Sequence, residues 1–420
     1  VPIVTAPNPP AGAPVLPRVA AAPLLRALGV SPVVVVMGAR QTGKSTLVQT
    51  LPELAGRPYL TLDDLDVREE AQIAPDALVR RTPRMVLDEV QREADLVLAI
   101  KRAVDEQRPR VRGRYVLTGS ANLLLMTRIA ESLAGRASYV TLWPLTRRER
   151  LGLGTAGIWR ALFDWPAAEW YDRVQAADAA PADWRAEARL GGHPTPAYEL
   201  GSDAERAVWF SGYVRTYLER DLQDLAAIAN LVDFRRLMRA TCLRLGNLVN
   251  QSELARDTGL SQASVHRYLN LLETSFQLVR LEPYAVNRTK RLVKSPKAYW
   301  SDTALAMFLA GETDPRGAHL ENLVLADLIA WRDTELRPPA VLYWRTSAGR
   351  EVDFVVEHGD ELLGIEVKSG TRPSHADTTG LRAFAEEYGA RVRGGLVLHA
   401  GTETYWLAPN VLATPWWRVV

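Results

Sequence analysis

The sequence predicts an α/β protein: a phosphate-loop nucleotide-binding domain, a helical middle, and a second α/β domain behind it. Three observations predict this. Val33-Val34-Val35-Val36-Met37 reads as a buried strand and runs straight into Gly38–Ser45, which fits G-x-x-x-x-G-K-[ST] at every fixed position. From Asp203 to Glu273 apolar residues recur at helical spacing between capping and turn residues. After Ala298 strand-like runs return, one of them carrying Glu366-Val367-Lys368, which puts both charges on one face.

The phosphate loop comes first. Its glycines let backbone N–H groups turn inward around phosphate oxygens with no Cβ in the way. Gly38, Ala39, Arg40, Gln41, Thr42, Gly43, Lys44, Ser45 and Thr46 are the expected ATP-binding residues. Lys44 would reach the β- and γ-phosphates, and Ser45 would ligate Mg²⁺. Met85-Val86-Leu87-Asp88-Glu89 is an apolar strand ending in two carboxylates, Asp88 suited to Mg²⁺ and Glu89 to the attacking water. Tyr115-Val116-Leu117-Thr118 is a third strand, after which Ser120 or Asn122 is a candidate γ-phosphate sensor or a plain N-cap. Arg136, following Gly135, is a candidate arginine finger acting in cis or from a neighbouring subunit; otherwise it is a surface arginine.

Composition bounds the rest. The chain has 420 residues, enough for two to four domains, and a formal net charge of only +2, so any basic surface is local. One cysteine, Cys242, excludes an internal disulfide and suits a reducing compartment. The six histidines show no zinc spacing, and no apolar run approaches a membrane span. A proline-broken arm is expected over residues 1–22, without a signal-peptide n-region, which points to a cytoplasmic protein.

The expected domains are a flexible arm over 1–22, the ATPase over 23–150, a helical lid or insertion over 151–232, a winged helix-turn-helix over 233–286 and an α/β domain over 287–420. Trp159, Trp165, Trp170 and Trp184 in the lid suggest packing more than base stacking. In the helix-turn-helix, Ala255, Gly259 and Val265 take the small, turn and anchor positions. Gln262, Ser264, His266, Arg267 and Asn270 would face outward, and Phe276–Leu281 would form a wing. Between Arg235 and Lys297 stand twelve Lys/Arg against four Asp/Glu, a local basic stretch suited to DNA.

In the last domain Asp353 precedes Glu366-x-Lys368 across a strand–turn–strand pattern. Two carboxylates can ligate Mg²⁺ or Mn²⁺ and the lysine can position a water, the PD-(D/E)XK nuclease arrangement, with Glu321 on the preceding helix as a further candidate. A solvent-facing strand of alternating charge would look the same.

Taken together, GARQTGKSTL, VLDEVQ, VLTGSANLLL, SLAGR, WPLTRRE, GGHP, YLERDL, KSPKAYWSDTALA, HLENLV, YWRTSAGREVDFVVE and IEVKSG resemble a known family of bacterial and archaeal ATPases. Its members carry an AAA-type domain and a C-terminal domain of unknown function with a restriction-endonuclease-like core. The resemblance implies that Lys44, Ser45, Asp88, Glu89 and Arg136 fill the ATPase roles above. It implies Glu321, Asp353, Glu366 and Lys368 as the nuclease-like cluster. Ala304 stands where the family has glycine, and His193 where an aromatic is common. The expected function is ATP hydrolysis coupled to DNA binding and metal-dependent DNA cleavage, in a homo-oligomer. The alternatives are a nucleotide-gated DNA-binding regulator with an inert nuclease fold, or an ATPase that remodels a protein partner.

Overall fold

A computed structural model describes residues 15–119, 132–221, 230–287 and 295–420. The chain forms two compact units. The first runs to Leu145, with Gly152–Gly154 and Thr274–Phe276 added; the second takes the remainder.

The first unit is a parallel sheet of β1 (Val33–Met37), β2 (Tyr59–Thr61), β3 (Met85–Asp88), β4 (Tyr115–Thr118) and β5 (Ala137–Thr141), in the order β2-β3-β4-β1-β5. Helices α1 (Ala21–Leu28), α2 (Lys44–Thr50), α3 (Leu65–Ile73), α4 (Pro75–Arg80) and α5 (Ala94–Asp105) flank it. The valine run is explained by burial on both faces. Val33, Val35 and Met37 join a core with residues of α3, α4 and α5, while Val34 and Val36 join the core with residues of α1 and α2. Because the strands are parallel, their carboxyl ends lie together, and that edge carries the phosphate loop, Asp88 and Thr118. Helix α1 starts at Ala21, and the Arg18 side chain is buried, so the expected arm boundary at residue 22 falls inside ordered structure.

The second unit begins with α6 (Arg147–Arg150), α7 (Trp159–Asp164), α8 (Trp170–Ala176), α9 (Trp184–Leu190) and α10 (Asp203–Tyr213). The helical stretch expected as a lid or insertion packs within its own unit against the C-terminal part. Trp159 Nε1 donates to Asp327 at 2.5 Å, the Ile158 N–H donates to the Val419 carbonyl, and Arg393 Nε donates to the Leu162 carbonyl. Trp159, Trp170 and Trp184 are buried, as an aromatic stripe used for packing requires.

Next come α11 (Leu231–Leu243), α12 (Gln251–Thr258), α13 (Gln262–Thr274), β6 (Leu278–Leu281) and β7 (Lys297–Trp300), the two strands pairing antiparallel. Then follow α14 (Thr303–Ala310), α15 (Gly317–Arg332), β8 (Ala340–Arg345), β9 (Glu351–His358), β10 (Glu361–Lys368), α16 (Thr379–Tyr388), β11 (Val392–His399), β12 (Tyr405–Ala408), β13 (Val411–Pro415) and α17 (Trp416–Val419). β8 to β13 form a mixed sheet in the order β12-β13-β11-β10-β9-β8. The helix-turn-helix and this sheet share one unit, so the expected boundary between residues 286 and 287 does not separate two bodies.

Candidate functional site

At the end of β1 the chain must turn sharply. A Cβ on Gly38 would lie 2.2 Å from the Leu142 carbonyl oxygen, and Gly43 has φ +92° where the loop enters α2. These two positions explain the glycines of the motif. Lys44 is buried, its Nζ 2.7 Å from the Ala39 carbonyl oxygen and 3.2 Å from that of Gly38. Burial lowers its pKa to about 8, against the opposing pull of Glu89 and Asp88, so the ammonium stays charged at neutral pH. Arg18 holds the loop from behind, donating to the Thr42 and Trp143 carbonyls at 2.7 Å each. That role escaped the sequence reading, in which Arg18 is one arginine in a proline-rich stretch.

Asp88, at the end of β3, is the hub of the site. Ser45 Oγ donates to it at 3.1 Å, Tyr59 OH at 2.6 Å, Thr61 Oγ1 at 3.4 Å, and Thr118 Oγ1 also donates. Burial and the Asp88 charge push the Tyr59 phenol pKa up, which keeps it a donor. Glu89 follows in the left-handed region, φ +57°, its N–H 3.3 Å from Thr118 Oγ1, and its carboxylate accepts from Gln91 Nε2. Phosphate loop, Ser45, Asp88 and Glu89 therefore meet at one sheet edge. Tyr59, Thr61 and Thr118 complete the arrangement. Ser120 and Asn122 lie outside the described residues.

Arg136 is not where a cis finger must be. It immediately precedes β5, and its carbonyl accepts from the Val33 N–H at the start of β1. The phosphate loop lies at the other end of that strand, roughly 15 Å away at about 3.3 Å per residue. Its guanidinium chelates Asp105, Nε at 2.8 Å and Nη2 at 2.6 Å. This placement argues against a finger acting in cis; a finger acting on a neighbouring subunit, and with it the oligomer, stays a proposal.

In the second unit Glu321 (α15), Asp353 (β9), Glu366 and Lys368 (β10) do come together. Asp353 Oδ2 accepts from the Val367 N–H at 2.9 Å, Lys368 Nζ donates to Glu366 Oε1 at 2.6 Å, and Tyr299 OH donates to Glu321 Oε2 at 3.1 Å. Burial, then the charge of Asp353, raises the pKa of both Glu321 and Glu366. Lys297 of β7, absent from the sequence reading of this cluster, pairs with Glu351 and lies 3.7 Å from Asp353 Oδ1. Burial opposes its charge, but Asp353, Glu351 and Glu321 outweigh it and hold its pKa above the usual lysine value. Among the described residues no three Asp, Glu, His or Cys side chains are arranged to hold a metal ion. The expected ligand set of Glu321, Asp353 and Glu366 is a cluster of neighbours rather than a metal cage, and the residues present do not fit a divalent cation.

Residues 30–151, which contain the phosphate loop, Asp88, Glu89 and Thr118, match an AAA domain family. Residues 182–316 and 316–419 match two domains of unknown function, DUF8612 and DUF4143. The uncharacterised protein Rv2008c of Mycobacterium tuberculosis (strain ATCC 25618 / H37Rv) is 32% identical over 408 residues, spanning 95% of this chain and 83% of its own. The chain belongs to this family of AAA-type ATPases. An uncharacterised protein of Haemophilus influenzae is 21% identical over 84% of this chain and 86% of its own. Among solved structures, the Walker-type ATPase PABY2304 of Pyrococcus abyssi covers 69% of this chain and 94% of its own at 15% identity, with a TM-score of 0.40, too loose a likeness to carry any feature across.

For an AAA-type ATPase the nucleotide site must also accept Mg²⁺, and here the donors fit. Ser45 Oγ and the Asp88 carboxylate, already in contact, are hard oxygen donors beside the phosphate loop. Among the described residues no helix is long and apolar enough to cross a membrane.

The DUF8612 stretch of this ATPase contains the helix-turn-helix. Asn250 caps α12 by accepting from the Ser252 and Glu253 N–H groups, Gly259 turns at φ +69°, and Ser261 accepts from the Ser264 N–H at the start of α13. Val265 is buried as the anchor, while Gln262, His266 and Arg267 are exposed. Ser264 is half-buried. Asn270 is too, held between His266 Nε2 and Arg280, so it is not part of a free outer face. Arg244, Arg280 and Lys297 of the basic stretch are paired with Asp257, Glu273 and Glu351. Residues 288–294 lie outside the described residues.

Proposed function

We propose that this AAA-type ATPase couples ATP hydrolysis in its first unit to DNA binding by the helix-turn-helix of its second. The hydrolytic part follows from the residues around Asp88. Lys44 and the loop N–H groups would hold the β- and γ-phosphates, and Ser45 and Asp88 would hold Mg²⁺, which when bound would supply positive charge against the phosphates. Glu89 orients a water toward the γ-phosphorus and takes its proton. The new P–O bond forms as the bond to the β–γ bridging oxygen breaks, giving ADP and phosphate.

The observation that carries the DNA part is the capped pair α12–α13 with Gln262, His266 and Arg267 exposed on one helix. The test is fluorescence anisotropy of a labelled duplex at rising salt. Arg267→Ala should weaken binding and lower the salt slope by about one, while Gln262→Ala should weaken it with the slope unchanged. Basal ATP turnover should stay as in wild type. No duplex binding at low salt would remove DNA and favour remodelling of a protein partner.

A further inference from the structure

We infer that the acidic cluster of the C-terminal sheet takes its cation from the chain itself, the Lys297 ammonium, and that this lysine keeps divalent metal out. The inference is independent of the ATPase and DNA readings.

The cluster gathers four carboxylates, Glu321, Glu351, Asp353 and Glu366, against two ammonium groups, Lys297 and Lys368. Such a group must be neutralised by something. Lys368 lies against Glu366, its side chain 34% exposed. Lys297 is different, because its side chain is only 4% exposed. Its Nζ pairs with Glu351, lies 3.7 Å from Asp353 Oδ1, and sits 5.7 Å from the centre of the Tyr343 ring, a cation–π distance.

The backbone on either side fixes this placement. Lys297 is opposite Leu281 in the β6–β7 pair and bridges to Leu248, and Ala298 exchanges hydrogen bonds with Gly246 and Asn247. One oxygen of each of three carboxylates is also engaged, while the second oxygen of Glu366, Oε2, is buried without a hydrogen-bond partner. Asp353 Oδ2 accepts from Val367, Glu366 Oε1 from Lys368, and Glu321 Oε2 from Tyr299. A divalent cation needs several oxygens at about 2.0–2.6 Å around one point. Here it would also lie beside a fixed ammonium, whose repulsion in a half-dry site is several times that in water. Lys297 thus does electrostatically what a metal would do, and in doing so it fastens β7, the strand paired with β6 behind the helix-turn-helix, to β9 of the large sheet.

The test is titration of the nucleotide-free full-length protein with Mn²⁺, followed by electron paramagnetic resonance of the free ion. Wild type is expected to bind no Mn²⁺ that Asp353→Asn removes. Any site it has should instead disappear in Asp88→Asn. Lys297→Met keeps the stem and removes the charge, and should tighten Mn²⁺ binding at the cluster by about tenfold or more. Asp353→Asn added to it should abolish that gain. A wild-type Mn²⁺ site lost in Asp353→Asn and kept in Asp88→Asn would overturn the inference, as would a folded Lys297→Met protein with no gain. If circular dichroism shows Lys297→Met unfolded, the comparison of wild type with Asp353→Asn decides alone.

Discussion

Four hydroxyl donors converge on Asp88, and two of them have separable tasks. Ser45 belongs to the metal, whereas Thr118 donates to Asp88 and accepts from the Glu89 N–H, joining the two acids. Thr118→Val keeps the shape and the strand preference but cuts that link. Turnover should fall about 10–100-fold, the usual effect of removing a group that orients a ligand, with nucleotide affinity nearly unchanged. Lys44→Ala should reduce ATP turnover to background. Glu89→Gln should bind nucleotide normally yet lose about 10²–10⁴-fold in rate. Phosphate release beside binding of a fluorescent ATP analogue checks all three; normal turnover in Glu89→Gln would remove that residue from the chemistry. Lys44, Ser45, Asp88 and Glu89 were legible in the sequence because each follows a local rule. Tyr59, Thr61 and Thr118 were not, because β2 and β4 become neighbours of β3 only through the order β2-β3-β4-β1-β5. Nothing in a linear pattern discloses that order.

Elements show where local reasoning holds and where it misleads. The helix-turn-helix was readable because caps, turn glycine and anchor are all set by near neighbours. β6 fell within Phe276–Leu281, the stretch expected as a wing, but its partner β7 lay in a stretch assigned to the next domain, so the pair itself was not legible. Arg136 lies at the end of the sheet away from its own phosphate loop, which a glycine before an arginine does not disclose, because it looks the same at either end. Its pair with Asp105 is half-exposed, so Arg136→Ala should cost about 1 kcal/mol and leave ATP turnover per folded molecule unchanged. A collapse of turnover in a folded variant would restore the finger.

His193, which stands where an aromatic is common, forms one device with Asp302. Asp302 is fully buried, caps α14 through the Leu305 N–H, and accepts from the Gly192 and His193 N–H groups and, at 2.9 Å, is paired with the His193 ring. That ring lies among Trp209, Phe210 and Tyr213, where an aromatic would otherwise pack. Burial pushes the Asp302 carboxyl up, but His193 and the N–H donors more than offset it, and its pKa is lowered. A lowered carboxylate pKa contributes stability above the unfolded value, lost as pH falls through the folded one. Asp302→Ala should therefore cost about 3–5 kcal/mol at neutral pH and lose less than wild type on acidification below about pH 4. Urea midpoints against pH test this; an identical acid limb in both proteins would exclude Asp302 as a contributor.

At the scale of the whole molecule, two units with separate cores carry the two proposed activities, and the tryptophans divide unevenly between them. Of the twelve, only Trp143 falls in the first unit; the rest belong to the second, with Trp159, Trp170, Trp184, Trp300 and Trp416 fully buried there. Tryptophan emission therefore follows unfolding of the second unit almost alone, while calorimetry sees both. A ligand stabilises the unit that binds it, by about 2.7 kcal/mol at a hundredfold excess over Kd. For a unit of this size that is a shift of roughly 5–10 °C. A non-hydrolysable ATP analogue with Mg²⁺ should move one calorimetric transition by that amount and leave the tryptophan midpoint in place. Lys44→Ala should abolish the shift without altering the tryptophan transition, because its ammonium sits on the Gly38 and Ala39 carbonyls of the first unit's phosphate loop. A tryptophan midpoint that rises in step with the calorimetric one would mean that nucleotide binding is felt across both units. Coupling of ATP to DNA would then run through shared stability. Independence would instead place the coupling in a change that accompanies hydrolysis.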